Sequence, residues 1–257
     1  MSGGTMKQVF RYTKGLTPLK NHYCPGCTHG VIHRIVGECI EDLGVRERTV
    51  GVAPVGCAVL AYNYFNCDMF EASHGRAPAV ATGAKRANPK MILFTYQGDG
   101  DLASIGGNEI LHAANRGEKI TVIFVNNAIY GMTGGQMAPT TLAGQVTTTT
   151  PFGRDVNDVG MPLRVAEMLA SLQTPGFVVR TASHKPSFII ETKKMIKKAF
   201  ELQIAGTCFT FVEVLSICPT NWGMSPKESC IWLENNMMPY YPLGVLKEPP
   251  AEDGGAS

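Results

Sequence analysis

The chain has 257 residues, 44% hydrophobic and 17% charged, with a formal net charge of +2. That balance supports a substantial core and leaves no basic face of the kind that binds nucleic acid. No apolar run approaches the roughly 18–20 residues of a membrane span. The opening MSGGTMKQVFRYTKG also lacks the apolar centre of a secretory signal. The expectation is a soluble, cytoplasmic protein with no membrane or nucleic-acid partner. Eight cysteines in a reducing compartment then point to metal or redox chemistry rather than to a disulfide framework.

In chain order, residues 1–22 read as an irregular arm. Apolar residues from Val31 to Leu43 recur with helical period and stop at Gly44. Thr49–Ala53 reads as a short strand leading into Pro54-Val-Gly-Cys57, and Pro78–Ala87 as a helix. Met91–Tyr96 and Ile120–Val125 are buried-strand runs flanking a helical stretch, Asp101–Arg116, that closes at Gly117. Residues 131–160 are mostly Gly, Thr, Pro and Gln, a long loop of the sort that serves as a lid or a subunit contact. A helix (Leu163–Leu172), a strand (Phe177–Ala182), a long helix (Pro186–Gln203) and a strand (Cys208–Leu215) follow. A last helix starts near Pro226, and residues 237–257 form a tail rich in proline and glycine. Strands alternating with helices predict one α/β domain over 1–257, with a mostly parallel sheet flanked by helices.

Two polar clusters fall at the carboxyl ends of neighbouring strands, where open parallel sheets bind ligands. In Gly98-Asp99-Gly100 the glycines let backbone approach a ligand closely, and Asp99 offers a hard oxygen at the start of a helix that favours phosphate. Asn127 offers a second oxygen, and a nearby carbonyl a third, which suits Mg²⁺ beside a diphosphate. Neither a P-loop nor a GxGxxG fingerprint is present. His74-Gly75-Arg76 precedes a helix and is either a contact for the same ligand or a surface turn. His29 and His33 read as packing or capping residues, and Lys193, Lys194, Lys197 and Lys198 as a solvated basic stripe.

The cysteines leave three readings. HYCPGCTHG (His22–Gly30) places Cys24 and Cys27 at the mouth of a helix. A structural zinc site needs four ligands and no second CxxC exists. A thioredoxin-type pair normally follows a strand, which KGLTPLKNHY is not. An iron–sulfur cluster takes four thiolates from distant segments, and Cys57 and Cys218 each follow a predicted strand at the Asp99 edge. Cys39 lies on the apolar face of the first helix; Cys67, Cys208 and Cys230 read as structural.

GDG, 26 residues, then Asn127 resembles the thiamine diphosphate motif. YCPGCTHG, GVAPVGC, HGRAPAVATG, GDGD, NNAIYGMTGGQ and CPTNWG together resemble the β subunit of 2-oxoacid:ferredoxin oxidoreductases, from Tyr23 to about Val245. The flavour is that of the 2-oxoglutarate and 2-oxoisovalerate enzymes. The resemblance implies the fold that binds the cofactor's diphosphate. It implies Mg²⁺ on Asp99, Asn127 and the Ile129 carbonyl, and a [4Fe–4S] cluster on Cys24, Cys27, Cys57 and Cys218. Cofactor-binding residues would be Gly56, Cys57, His74, Gly75, Arg76, Gly98, Asp99, Gly100, Asp101, Asn127, Ile129, Gly131, Met132 and Thr133.

The implied reaction is oxidative decarboxylation of a 2-oxoacid to an acyl-coenzyme A and CO₂, with electrons leaving through the cluster to ferredoxin. A non-redox thiamine diphosphate decarboxylase or synthase would need GDG–NN but not four cysteines. Glutamate activation of the cofactor's pyrimidine belongs to a separate module in this class. Glu109 and Glu118, after GDG, cannot readily face that ring. The expected partner is therefore an α subunit carrying the pyrimidine module, with γ and ferredoxin-like δ subunits as further family partners.

Overall fold

The computed structural model describes residues 11–174 and 176–249. The first ten residues of the expected arm, and residues 250–257 of the expected tail, lie outside the described residues. The elements in chain order are α1 (His29–Asp42), β1 (Thr49–Ala53), α2 (Ala61–Tyr64), β2 (Asp68–Glu71), α3 (Ala77–Ala87), β3 (Ile92–Gly98), α4 (Gly107–Asn115) and β4 (Thr121–Asn126). There follow α5 (Val156–Val159), α6 (Val165–Ala170), β5 (Gly176–Ala182), α7 (Pro186–Ile204), β6 (Phe209–Leu215), α8 (Pro219–Trp222), α9 (Pro226–Trp232), α10 (Met238–Tyr240) and β7 (Gly244–Lys247).

Seven strands form one sheet in the order β2-β1-β3-β4-β6-β5-β7, every pairing parallel except the antiparallel β5–β7 edge. Strands β1, β4, β5 and β6 are buried along their whole length. Their near-continuous Val, Ile and Phe runs cover both faces, as a sheet flanked by helices on each side requires. On one face α1 and α7 pack together, with Ile32, Val36, Ile196 and Phe200 against Phe94, Ile123 and Val212. On the other, Ala81, Ile110, Ala113 and Leu169 of α3, α4 and α6 cover Val52, Val122 and Phe211.

Local signals explain several boundaries. Gly44 follows α1 at φ +64° and Gly117 follows α4 at φ +65°, the left-handed turns that end helices. Ser225 and Glu228 form a reciprocal capping box that starts α9 beside Pro226. The helix expected over Asp101–Arg116 is instead a π-turn, Asp101–Ile105, broken at Gly106 before α4. Backbone packing is the reason: a Cβ on Gly106 would stand 2.9 Å from the Gly75 carbonyl oxygen.

Two strands escape the sequence reading. The short β2 is largely exposed at one edge, so burial leaves no periodic signature there. At the other edge, β7 arises from the region read as tail. Among the described residues no helix is long and apolar enough to cross a membrane.

Candidate functional site

Consecutive elements step outward from β1 in both directions, so the order reverses at the β1–β3 boundary. The carboxyl ends of β1, β3, β4 and β6 lie side by side across it, which is where open α/β sheets place their ligand crevice. A cavity opens there. Val55, Gly56 and Cys57 form one wall, Gly98 to Asp101 another, and Asn127, Ile129 and the Tyr130–Thr133 loop a third, with His29 and His74 completing it.

Asp99 is 2% exposed. Its Oδ1 accepts the Gly100 N–H at 2.9 Å, and its Oδ2 accepts the Ile129 N–H at 3.2 Å and the Thr140 hydroxyl at 2.6 Å. Burial pushes the Asp99 carboxyl up to about 6 even against those bonds. A cation in the cavity would reverse that push. Beside it, the Asn127 Oδ1 is buried and finds no hydrogen-bond partner among the described residues. An orphaned buried acceptor costs about 1–3 kcal/mol, a cost that a hard metal ion removes. The donor set of one carboxylate and one amide oxygen fits Mg²⁺.

Asn127 is aimed by its neighbours. Ala128 sits at φ +57°, a left-handed conformation that costs a non-glycine residue about 1–2 kcal/mol. It is held there because the Ala128 N–H donates to Asn126 Oδ1 at 3.1 Å and its carbonyl accepts from Thr141 at 2.7 Å. Asn126 in turn donates to Glu213 at 2.7 Å, and Glu213 is paired at 2.8 Å with Arg180, whose side chain is fully buried. The two asparagines thus divide the labour. Asn126 fixes the turn and Asn127 faces the cavity.

His74 lines the cavity with its Nδ1 2.6 Å from Asp101 Oδ1, and the same oxygen accepts the Gly75 N–H at 2.7 Å. Arg76 is turned away; its guanidinium meets Glu109 at 2.5 Å and the Ile105 carbonyl at 2.9 Å. The 131–160 loop is ordered around Arg154, which donates to the carbonyls of Ala138, Pro139 and Thr141. Its Thr140 is the residue that holds Asp99.

Cys24, Cys27, Cys57 and Cys218 line a second cavity. A Cβ on Gly131 would lie 3.1 Å from Cys57 Sγ and 3.7 Å from Cys218 Sγ, so glycine keeps that space clear. Burial pushes the Cys27 and Cys57 thiols up to about 12 and raises Cys218, so bare thiolates are disfavoured without a positive partner. Among the described residues no three His, Cys, Asp or Glu side chains converge on one point to hold a single ion. Four thiols lining one cavity fit the all-thiolate ligand set of an iron–sulfur cluster. Cys39 and Cys208 are fully buried in the core, and Cys67 and Cys230 pack at its margins.

The two cavities share His29, Cys57, Asn127, Gly131 and Met132. His29 is therefore more than packing: its Nδ1 bonds the Tyr96 hydroxyl at 2.7 Å, its ring stacks on Tyr23, and burial pushes it down to about 3. His33 does pack, against Phe65. Sequence reasoning read His29 only as packing or capping, and it missed Thr140 and the Asn221 and Trp222 side chains of CPTNWG. Within that motif Trp222 donates to the Asn127 carbonyl at 3.1 Å.

Residues 54–214 match the family described as thiamine pyrophosphate enzyme, C-terminal TPP binding domain. A 2-oxoglutarate synthase subunit KorB of Methanocaldococcus jannaschii is 38% identical over 80% of this chain and 72% of that protein. The chain belongs to the 2-oxoacid:ferredoxin oxidoreductase family. Within this family, the ketoisovalerate oxidoreductase subunit VorA of Methanothermobacter marburgensis is 48% identical over 96% of the chain. The chain spans about half of that relative, 52% of its length. A solved 2-oxoglutarate:ferredoxin oxidoreductase from Magnetococcus marinus, with 2-oxoglutarate, coenzyme A and succinyl-CoA bound, shares the fold. Its TM-score is 0.75 at 23% identity, covering 95% of this chain and 87% of that one.

Proposed function

We propose that this chain is the thiamine-diphosphate-binding subunit of a 2-oxoacid:ferredoxin oxidoreductase. The observation that carries the reading is the shared wall: a cavity suited to Mg²⁺ and a diphosphate abuts one lined by four thiols. A non-redox decarboxylase has no use for the second cavity. When bound, thiamine diphosphate supplies the carbon nucleophile and electron sink for decarboxylation, and a [4Fe–4S] cluster takes electrons one at a time.

The chain's own residues bind, orient and shield. Asp99, Asn127 and the Ile129 carbonyl hold Mg²⁺, and Gly98 and Gly100 let backbone approach the diphosphate. Thr140 and the Gly100 and Ile129 amides lock the Asp99 rotamer, so little ordering remains when the metal arrives. Asp101 sets the His74 ring against the cavity. Cys24, Cys27, Cys57 and Cys218 hold the cluster, with His29, Gly131 and Met132 as the thin partition.

The higher identity with the ketoisovalerate relative than with KorB favours a branched-chain 2-oxoacid. Coenzyme A receives the acyl group and ferredoxin the electrons. An α-type partner supplies the activating glutamate, since among the described residues no glutamate lines the cofactor cavity. The test is a panel of 2-oxoisovalerate, 2-oxoglutarate and pyruvate on the co-expressed complex, with coenzyme A and methyl viologen. The highest kcat/KM is expected for 2-oxoisovalerate, with brown absorbance from the cluster. Colourless protein that releases CO₂ without reducing dye would restore the non-redox decarboxylase.

A further inference from the structure

Asn221 touches both halves of the site. Its Nδ2 lies 3.3 Å from Cys218 Sγ and 2.9 Å from the Gly131 carbonyl oxygen, donating to each. Its backbone N–H also bonds the Cys218 sulfur. Gly135 makes room for the amide: a Cβ there would stand 3.2 Å from Oδ1, whereas one on Gly131 would meet Nδ2 at an ordinary 3.7 Å. Cys218 itself is buried, so water competes weakly for its sulfur. The next residue on the same turn of α8, Trp222, holds the Asn127 carbonyl.

We infer that Asn221 is a positioning residue that sets the reduction potential of the cluster held at Cys218 while tying it to the Gly131 loop of the cofactor cavity. The inference rests on the four-cysteine cluster proposed above. An N–H donor stabilises a sulfur more as its negative charge grows, so it favours the reduced state and raises the potential. The step it tunes is the gain of one electron by [4Fe–4S]²⁺ to give [4Fe–4S]⁺. Because the same amide grips the Gly131 carbonyl, a shift of the cofactor loop alters the sulfur's hydrogen bonding.

The experiment uses the full chain, reconstituted anaerobically with iron and sulfide and titrated with dithionite through mediators, the reduced cluster being read by EPR. Asn221→Ala is expected to keep four irons and make reduction about tenfold less favourable, a fall of about 59 mV for one electron. Asn221→Ser, which retains a shorter donor, should fall between. Trp222→Phe loses a bond on the same helix without touching the sulfur and should leave the potential unchanged. Wild-type protein without a four-iron EPR signal overturns the cluster itself. Wild-type protein with the signal, but with no potential shift in Asn221→Ala, overturns the role of Asn221 alone. An equal shift in Trp222→Phe does the same, because it reveals general loosening of α8. If Asn221→Ala fails to assemble a cluster, pulsed EPR on wild-type protein labelled with ¹⁵N-asparagine decides. A ¹⁵N coupling to the reduced cluster supports the inference, and its absence sinks it.

Discussion

Removing the Asp99 carboxylate leaves Thr140 and the Gly100 and Ile129 amides without their acceptor, and takes the charged oxygen from the proposed metal set. Asp99→Ala is therefore expected to weaken thiamine diphosphate binding in Mg²⁺ about a hundredfold, or about 2.8 kcal/mol, while iron content stays at the wild-type level. Calorimetry on the assembled complex reads the first and metal analysis the second; near-wild-type affinity would remove Asp99 from the site. The cysteines divide in the same residue-by-residue way. Cys57→Ser and Cys218→Ser each forfeit a thiolate and should lose the intact cluster, read as absorbance and EPR signal. Cys39 is fully buried with its sulfur 3.5 Å from the Lys193 carbonyl. Cys39→Ala should keep all the iron and cost about 1 kcal/mol of stability from the small void.

Individual elements are held in register by buried charge, and their stability is testable separately from the chemistry. Arg180 on β5 pairs with Glu213 on β6 and with Glu167 on α6, and the Glu213 carboxylate reaches on to Asn126 at the tip of β4. Arg180→Met leaves Glu213 buried without its counter-charge and should destabilise the domain by about 3–5 kcal/mol. Arg180→Met combined with Glu213→Gln should recover a good part of that loss in a denaturation series; strict additivity would show the pair to be uncoupled. On the same face of the sheet, Glu118 joins Arg86 of α3 to Arg116 at the end of α4. Burial alone would raise the Glu118 carboxyl, but its bonds to the two arginines outweigh that and hold it below the ordinary range. A depressed carboxyl stabilises the fold above its unfolded pKa, and that contribution fades as pH falls through the folded value. Both arginines are exposed, so Glu118→Gln should cost only about 1 kcal/mol at pH 7. The difference from wild type should close below about pH 4. A gap that stays constant with pH would exclude the ion pairs as its source.

Across the whole molecule, the cofactor cavity is lined by the Asp99 and Asp101 carboxylates, the Asn127 amide and glycine-rich backbone, and among the described residues by no glutamate. Glu109 is taken by Arg76 and Glu118 by Arg86 and Arg116. Neither lines the cofactor cavity. The isolated chain, loaded with iron, Mg²⁺ and thiamine diphosphate, is accordingly expected to show no 2-oxoacid-dependent dye reduction, and co-expression with an α-type partner should restore it. Robust turnover by the chain alone would end the case for a divided site. Exposed apolar side chains along the 132–168 segment, among them Met132, Val146, Phe152 and Met161, are at odds with a loop that faces only water.

Local pattern was enough for the parallel sheet and for bringing Gly98–Gly100 and Asn127 to one sheet edge, because fully buried strands and glycine-flanked turns leave their mark within a few residues. Thr49–Ala53 is one such strand, recovered with the same bounds. Weak or non-local elements left no such mark. β7 owes its strand to pairing with β5, and the π-turn after GDG owes its shape to Gly75 packing on Gly106. The site shows the same division. Asp99 and Asn127 announce themselves by residue type at strand ends, whereas counting and spacing left the cysteines open and only the family resemblance singled out four of them. That His29 forms part of the partition, that Thr140 locks Asp99, and that Asn221 spans a thiol and the cofactor loop depend on contacts across 41 and 90 residues of chain. Periodicity reports which face of an element is buried; only the packed sheet decides what it is buried against.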